Sequence, residues 1–227
     1  MDSPVQAVVL VSGGLDSCVA AAEAALAFGD CSALGFLHVR YGQRTAGREL
    51  AAFEEIGDHF GVSRRLVADA GHLAAVGSSS LTAPGSPADD RKKEPVPSTY
   101  VPFRNANLLA IAVAWAEASG ARSVYLGAHE RDCPYPDCRA VFFEAFARAV
   151  ETGTRPDTAI SIETPLLSLD KPGIVRRGLE LAAPLHLTWS CYVGSEIPCG
   201  KCRSCELRQR GFREAGVEDP LLAAEVR

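Results

Sequence analysis

Gln6-Ala7-Val8-Val9-Leu10-Val11-Ser12-Gly13-Gly14-Leu15-Asp16-Ser17 decides how this chain is read. Its first half, Gln6 to Val11, is short, β-branched and apolar without alternation, the pattern of a strand buried on both faces of a parallel sheet. The second half breaks at two glycines and runs into Ser17 to Phe28, an Ala-rich stretch with no internal Gly or Pro and Gly29-Asp30 as its stop. A strand, a glycine turn and a helix start in that order bring backbone N–H groups and the positive end of a helix to one point, where an anion belongs. Gly13 and Gly14 remove Cβ where the backbone must approach phosphate oxygens. Ser12 and Ser17 offer hydroxyls, and Asp16 offers a carboxylate to a magnesium ion bridging phosphates. The Gly-Lys-Ser/Thr end of a Walker A loop is absent, so γ-phosphate transfer is not expected. A plain glycine turn with Asp16 and Ser17 as caps is the structural alternative.

Outward from this segment, apolar runs and helical periods alternate. Strands are expected at Ala33 to Val39, Arg64 to Ala68, Ser123 to Gly127 and Ala159 to Glu163. Helices are expected at Arg48 to Phe60, Asn105 to Ala118, Asp137 to Val150, Lys171 to Ala183 and Arg203 to Ala215, with Phe142, Phe143 and Phe146 as core contacts. His186 to Trp189 reads as a short extended piece. Between Asp69 and Thr99 periodicity is lost and the charged run Asp89 to Glu94 appears, so this stretch reads as a long loop or lid, with Lys92 and Lys93 in a solvated part of it. Such alternation predicts an α/β fold: a Rossmann-like parallel sheet with helices on both faces, and ligands beyond the carboxyl ends of its strands.

Size and composition narrow the function. With 227 residues, 47% of them hydrophobic, the chain is long enough for one substantial core. A net charge of -5 argues against a general attraction to nucleic acid, which rests on clustered Lys and Arg. No secretory signal and no run of eighteen apolar residues is visible, so the cytoplasm is expected and a membrane partner is not. Of eight cysteines, Cys191, Cys199, Cys202 and Cys205 fall near the C-terminus in a C-x7-C-x2-C-x2-C arrangement, with Gly200 permitting a tight turn. Four thiolates at that spacing suit a structural tetrahedral zinc with no position left for water. Paired disulfides and an iron–sulfur cluster are the alternatives. The expected layout is an α/β domain over residues 1–188 with a small zinc-binding segment and closing helix over residues 189–227, packed on the same domain.

Ser12 to Ser17 resembles the SGGxDS loop of the N-type ATP pyrophosphatases, which split ATP into AMP and pyrophosphate. Tyr41-Gly42-Gln43-Arg44, Thr99-Tyr100-Val101-Pro102-Phe103-Arg104-Asn105, Tyr135-Pro136-Asp137-Cys138-Arg139 and Cys191 through Cys205, in that order, resemble the QueC family of 7-cyano-7-deazaguanine synthases within that superfamily. The resemblance spans nearly the whole chain and implies an adenine nucleotide alpha hydrolase-like fold. The implied reaction converts 7-carboxy-7-deazaguanine and ammonia to the nitrile preQ0, consuming ATP with magnesium in two adenylation steps. Ser12, Gly13, Gly14, Leu15, Asp16 and Ser17 would bind ATP, and Lys171 would add a cation there. Arg104 and Asn105 would meet phosphate or the substrate carboxylate. Asp137 would accept the N–H groups of the guanine-like edge, Tyr135 or Phe103 would stack on its ring, Arg139 would steer the carboxylate, and Arg44 would complete the substrate site. Asp16, Lys171, Arg104 and Asp137 are the expected catalytic set. A homodimer is expected from the habit of small α/β enzymes.

Each role has a plainer competitor. Tyr135-Pro136-Asp137 also reads as a turn and cap for the next helix, and Arg44 as the partner of a surface carboxylate. His38, His59, His72, His129 and His186 read as structural or solvated. Thr45, Phe103 and the stretch Glu130-Arg131-Asp132-Cys133-Pro134 depart from the family pattern. They leave open a related ligase of a natural-product or defence pathway that stops at an amide or joins the carboxylate to another amine. A tRNA-thiolating enzyme, with Cys133 and Cys138 handling sulfur, is opposed by the acidic charge.

Overall fold

The computed structural model describes residues 4–77, 79–83, 96–193 and 196–223. The charged run Asp89 to Glu94, with Lys92 and Lys93, lies outside the described residues. Five strands, β1 (Ala7–Leu10), β2 (Leu34–Arg40), β3 (Arg64–Asp69), β4 (Ser123–Leu126) and β5 (Ser161–Glu163), make one sheet in the order β3-β2-β1-β4-β5. Every pairing is parallel. The helices are α1 (Leu15–Phe28), α2 (Ala46–Phe60), α3 (His72–Val76), α4 (Arg104–Ser119), α5 (Ala140–Gly153), α6 (Lys171–Glu180), α7 (Arg203–Ala215) and α8 (Pro220–Ala223).

The unalternating apolar run of β1 is explained by what covers its two faces. Val8 and Leu10 pack with Leu109 and Val113 of α4, whereas Ala7, Val9 and Val11 pack with Cys18 and Ala21 of α1 and Phe53 and Ile56 of α2. Side chains alternate across a strand, so a strand covered on both sides must be apolar at every position. A further cluster of Leu15, Val19, Ile174, Val175 and Phe212 seats α6 and α7 on α1. Strand order reverses between β1 and β4, and at such a switch point the chain leaves neighbouring strands in diverging directions and opens a crevice at their carboxyl ends.

Three expected elements come out differently. The helix expected from Asp137 begins at Ala140; Pro136–Cys138 is a 3-10 turn, and Arg139 is extended (φ -88°, ψ 149°). The cause is tertiary, since the Asp137 carboxylate is taken by the start of α4. His186 to Trp189 is not a simple extended piece, because a 3-10 turn occupies Leu185–Leu187 after Pro184. The stretch after β3 holds the short helix α3, and its described ends are tied together: Ser80 N–H donates to the Ser98 carbonyl at 2.9 Å and Ser79 Oγ to the Thr99 carbonyl at 3.2 Å. Phe143 is buried as expected, with Phe142 and Phe146 partly buried against the same core.

Candidate active site

The crevice at the β1/β4 switch point is a cleft of about 270 Å³, and Ser12, Gly14, Leu15, Asp16, Ser17, Arg104, Asn105, Tyr135 and Lys171 line it. Its floor is the loop after β1. Gly13 holds φ at +85°, a conformation that side chains oppose, and a Cβ there would lie 2.4 Å from the Glu49 carbonyl oxygen of α2. This glycine therefore lets the loop lie against α2 as well as turn. Ser17 Oγ donates to the Gly14 carbonyl at 2.9 Å, and Ser12 Oγ accepts from Gly14 N–H at 3.2 Å. No side chain caps the start of α1, so its first N–H groups are left for a ligand. Leu15 turns its side chain into the core against Ile174 and Val175.

Asp16 meets Lys171, which opens α6 from the other side of the cleft. Lys171 Nζ donates to both carboxylate oxygens, at 2.6 and 2.8 Å, and His129, just past β4, places Nε2 3.4 Å from Asp16 Oδ2. Burial opposes ionisation of Asp16, but Lys171 and His129 outweigh it and hold the carboxyl well below the usual range. Lys171 is itself fixed: its backbone N–H donates to Asp132 Oδ2 at 2.7 Å, and Arg210 of α7 donates to Asp132 Oδ1. Gly127, at the end of β4, lets that strand approach; a Cβ there would sit 2.6 Å from the Asp16 backbone.

At the far end the cleft is aromatic and basic. The Arg104 guanidinium lies 5.4 Å from the Tyr41 ring centre and 6.0 Å from that of Tyr135, and Nη1 donates to Tyr41 Oη at 3.3 Å. Tyr192 joins Tyr41 and Tyr135 in the lining, and burial pushes the Tyr192 hydroxyl well above its ordinary pKa, so it stays protonated. Asn105 and Asp137 are mutually engaged: Asp137 Oδ2 accepts Asn105 N–H at 2.8 Å, and Asn105 Nδ2 donates to the Asp137 carbonyl at 2.9 Å. Asp137 is thus the cap of α4, reached from 32 residues away, rather than of the helix that follows it.

The remaining expected residues lie apart. Phe103, Asp137 and Arg139 line a second recess with Tyr100, Val141 and Phe142. Phe103, at φ +56°, is exposed and meets Phe142 edge-on at 6.1 Å. Arg44 is exposed and lines neither cavity; its neighbours Gln43 and Thr45 are buried and donate to the Glu49 carboxylate, building the turn into α2.

The sulfurs of Cys191, Cys199, Cys202 and Cys205 lie within 4.8 Å of one another. An ion with four Zn–S bonds of about 2.3 Å needs sulfurs about 3.8 Å apart, so a small contraction fits a metal here. Val193 N–H and Cys199 N–H both point at Cys191 Sγ, at 3.4 and 3.3 Å, as donors that support a thiolate. All eight cysteines are free of disulfides. The cluster touches the cleft through Trp189, whose backbone N–H donates to the Gly13 carbonyl at 2.8 Å while its indole N–H donates to the Cys191 carbonyl at 3.1 Å.

The family model described as queuosine biosynthesis protein QueC matches residues 6–216. The chain belongs to the QueC family. Curated relatives named 7-cyano-7-deazaguanine synthase include those of Chlorobaculum parvum and Chlorobaculum tepidum, each 50% identical over 220 residues, covering 95% of this chain and 95% of the relative. Among solved structures, an NAD+ synthetase from Burkholderia pseudomallei aligns with a TM-score of 0.45 at 18% identity over 98% of this chain and 78% of its own. An NMN synthetase from Francisella tularensis does so at 0.45 and 16% over 97% and 78%.

In this QueC-family chain, sequence reasoning missed His129, Asp132 and Tyr192. His129 and Asp132 carried a usable signal, because both follow β4 at the carboxyl edge of the sheet, where ligands sit. Tyr192 carried none beyond its proximity to Cys191.

Proposed function

We propose that this chain makes 7-cyano-7-deazaguanine (preQ0) from 7-carboxy-7-deazaguanine and ammonia, cleaving ATP to AMP and pyrophosphate through an acyl-adenylate and then an amide. Membership of the QueC family supports the reaction, and the observation that carries it is the Asp16–Lys171 pair at the mouth of the Ser12 to Ser17 loop, within the switch-point cleft. An α-β cleaving enzyme needs charge there, because negative charge builds on the departing pyrophosphate.

The substrate carboxylate oxygen attacks the α-phosphorus and pyrophosphate leaves. The N–H groups at the start of α1, with the hydroxyls of Ser12 and Ser17, hold the pyrophosphate portion, and Lys171 turns from Asp16 to the departing oxygens. Asp16 is the residue to hold Mg2+, which when bound neutralises phosphate charge. Ammonia then adds to the acyl carbon and AMP leaves, giving the amide. The amide oxygen attacks the α-phosphorus of a second ATP and expels a second pyrophosphate, and loss of AMP with the two N–H protons leaves the nitrile. Arg104, charged and backed by Tyr41 and Tyr135, meets the carboxylate or the α-phosphate. Tyr135 stacks on the deazapurine, and the Asp137 oxygen not used by Asn105 accepts from its guanine-like edge. Asn105 holds Asp137 in place, and Phe103 and Arg139 reach the substrate only from the second recess. Much of the rate comes from positioning and charge.

Four thiolates with no competing ligand make zinc the ion of choice at the Cys191 to Cys205 knuckle, in a structural role. Residues 1–188 serve as the ATP pyrophosphatase domain, with 189–227 as its zinc-bearing extension. The enzyme works in the cytoplasm, as a homodimer, without nucleic acid or membrane. Among the described residues, no helix is long and apolar enough to cross a membrane. Mass spectrometry of the product formed from 7-carboxy-7-deazaguanine, ammonium, magnesium and ATP tests the reading. A nitrile with AMP is the expected result, an amide alone points to a related ligase, and ADP overturns the proposal.

A further inference from the structure

Cys133 and Cys138 line the cleft with their sulfurs 2.9 Å apart, the Cys133 thiol directed at Cys138 Sγ. A disulfide needs an S–S separation of about 2.05 Å, so closure asks for roughly 0.9 Å of approach. The backbone already curls to bring the two together: Cys133 N–H donates to the Glu130 carbonyl at 3.4 Å and Cys138 N–H to the Tyr135 carbonyl at 3.1 Å. The two thiols differ in access, since Cys133 is half-buried at the cleft wall and Cys138 is 5% exposed. They also flank two anchors: Cys133 follows Asp132, which holds Lys171, and Cys138 follows Asp137, which caps α4.

We propose that Cys133 and Cys138 form a reversible dithiol–disulfide site in the cleft, closed by a small disulfide of the glutathione class. The Cys133 thiolate attacks one sulfur of the oxidant and expels one thiolate. Cys138, its thiol proton lost to solvent, then attacks the Cys133 sulfur and expels the second. Two protein thiols give up two electrons and two protons, and one small disulfide becomes two thiols. Cys133 goes first because it is the more accessible of the two, and once ionised it accepts a hydrogen bond from the Cys138 thiol, which lowers the Cys133 pKa to about 7 and raises that of Cys138. Closure draws Asp132 and Asp137 with their neighbours and fixes Tyr135 between them, so it disturbs both ends of the cleft.

The test uses the full chain with its knuckle metal in place, titrated with oxidised glutathione, alkylated and cut with trypsin. Cleavage after Arg131 and Arg139 isolates Asp132 to Arg139, which holds both thiols and no other cysteine. The expected peptide is unalkylated and two hydrogens lighter than the reduced one, with turnover down about tenfold or more and restored by dithiothreitol. In Cys133→Ser the ratio of oxidised to reduced turnover returns to one; in Cys138→Ser, Cys133 stops as a mixed disulfide with glutathione. Alkylation of both thiols after oxidation, a wild-type peptide arrested at the mixed disulfide, loss of metal before the peptide closes, or an activity loss that persists in Cys133→Ser overturns the proposal. The peptide mass needs no substrate, so its outcome is independent of the reaction proposed above.

Discussion

Lys171 Nζ lies 2.6 and 2.8 Å from the two carboxylate oxygens of Asp16, a contact that joins the start of α6 to the start of α1 across 155 residues. The pair closes one end of the cleft, and under the function proposed above its partners would be exchanged, the lysine for a triphosphate and the carboxylate for a magnesium ion. Lys171→Met is expected to lower the rate of pyrophosphate release by about 10²- to 10³-fold, since one positioned charge on the leaving group is lost. Steady-state kinetics with a pyrophosphate assay checks this, and an unchanged rate would remove Lys171 from the chemistry.

Folding lowers the Asp16 pKa, so the sign of its pH dependence is fixed. Its ionised form stabilises the fold at every pH above the unfolded value of about 3.9, and that contribution is lost as the pH falls through the depressed folded value. The difference in unfolding free energy between wild type and Asp16→Asn is expected to stay flat from about pH 7 to about pH 5 and to shrink below about pH 4. Urea titrations across that range decide it; a difference that grows on acidification contradicts the ion pair.

Gly127→Ala is expected to damage nucleotide binding without touching a nucleotide. Its Cβ would lie 2.6 Å from the Asp16 carbonyl carbon and oxygen and 2.7 Å from Ser17 N, all backbone, so the loop must move. Overpacking of this kind costs about 1–3 kcal/mol. Calorimetric titration with ATP should show weakened binding, whereas affinity equal to wild type means the loop tolerates displacement.

Cys202→Ser is expected to lower metal content below one ion per chain, to lower the melting temperature and to weaken ATP binding. The last effect follows from Trp189, which packs in the cysteine cluster and holds the Gly13 carbonyl at 2.8 Å. Elemental analysis combined with ATP titration checks both parts; metal loss with undiminished ATP affinity disproves the mechanical link.

Arg208 and Asp219 form a buried bidentate pair, at 2.6 and 2.8 Å with both side chains 6% exposed, and Arg208 also donates to Thr188 Oγ1 at 2.7 Å. Asp219→Ala strands a buried guanidinium and is expected to cost about 3–5 kcal/mol. Chemical denaturation measures it, and a loss under about 1 kcal/mol would mean water replaces the carboxylate.

The β1 run and the glycine break after it placed the central strand and the glycine loop before any contact was known, because strand burial and a helix start are local properties of the chain. The spacing from Cys191 to Cys205 is local in the same sense, and their sulfurs do converge. Other assignments depended on which groups meet. Asp137 beside Pro136 has the sequence of a cap for the following helix, yet its carboxylate binds the Asn105 N–H of α4 and α5 starts later. His129 reads as an isolated histidine until the end of β4 brings it 3.4 Å from Asp16. Phe103 and Tyr135, alike as stacking candidates, were separated into different cavities. By itself the sequence determined the α/β alternation, the glycine loop and the cysteine cluster, each encoded within a few residues by periodicity, backbone freedom and ligand spacing. Only the tertiary structure decided which charge faces which: the partner of a carboxylate lies wherever parallel crossovers bring a distant strand end, and burial then makes that pairing obligatory.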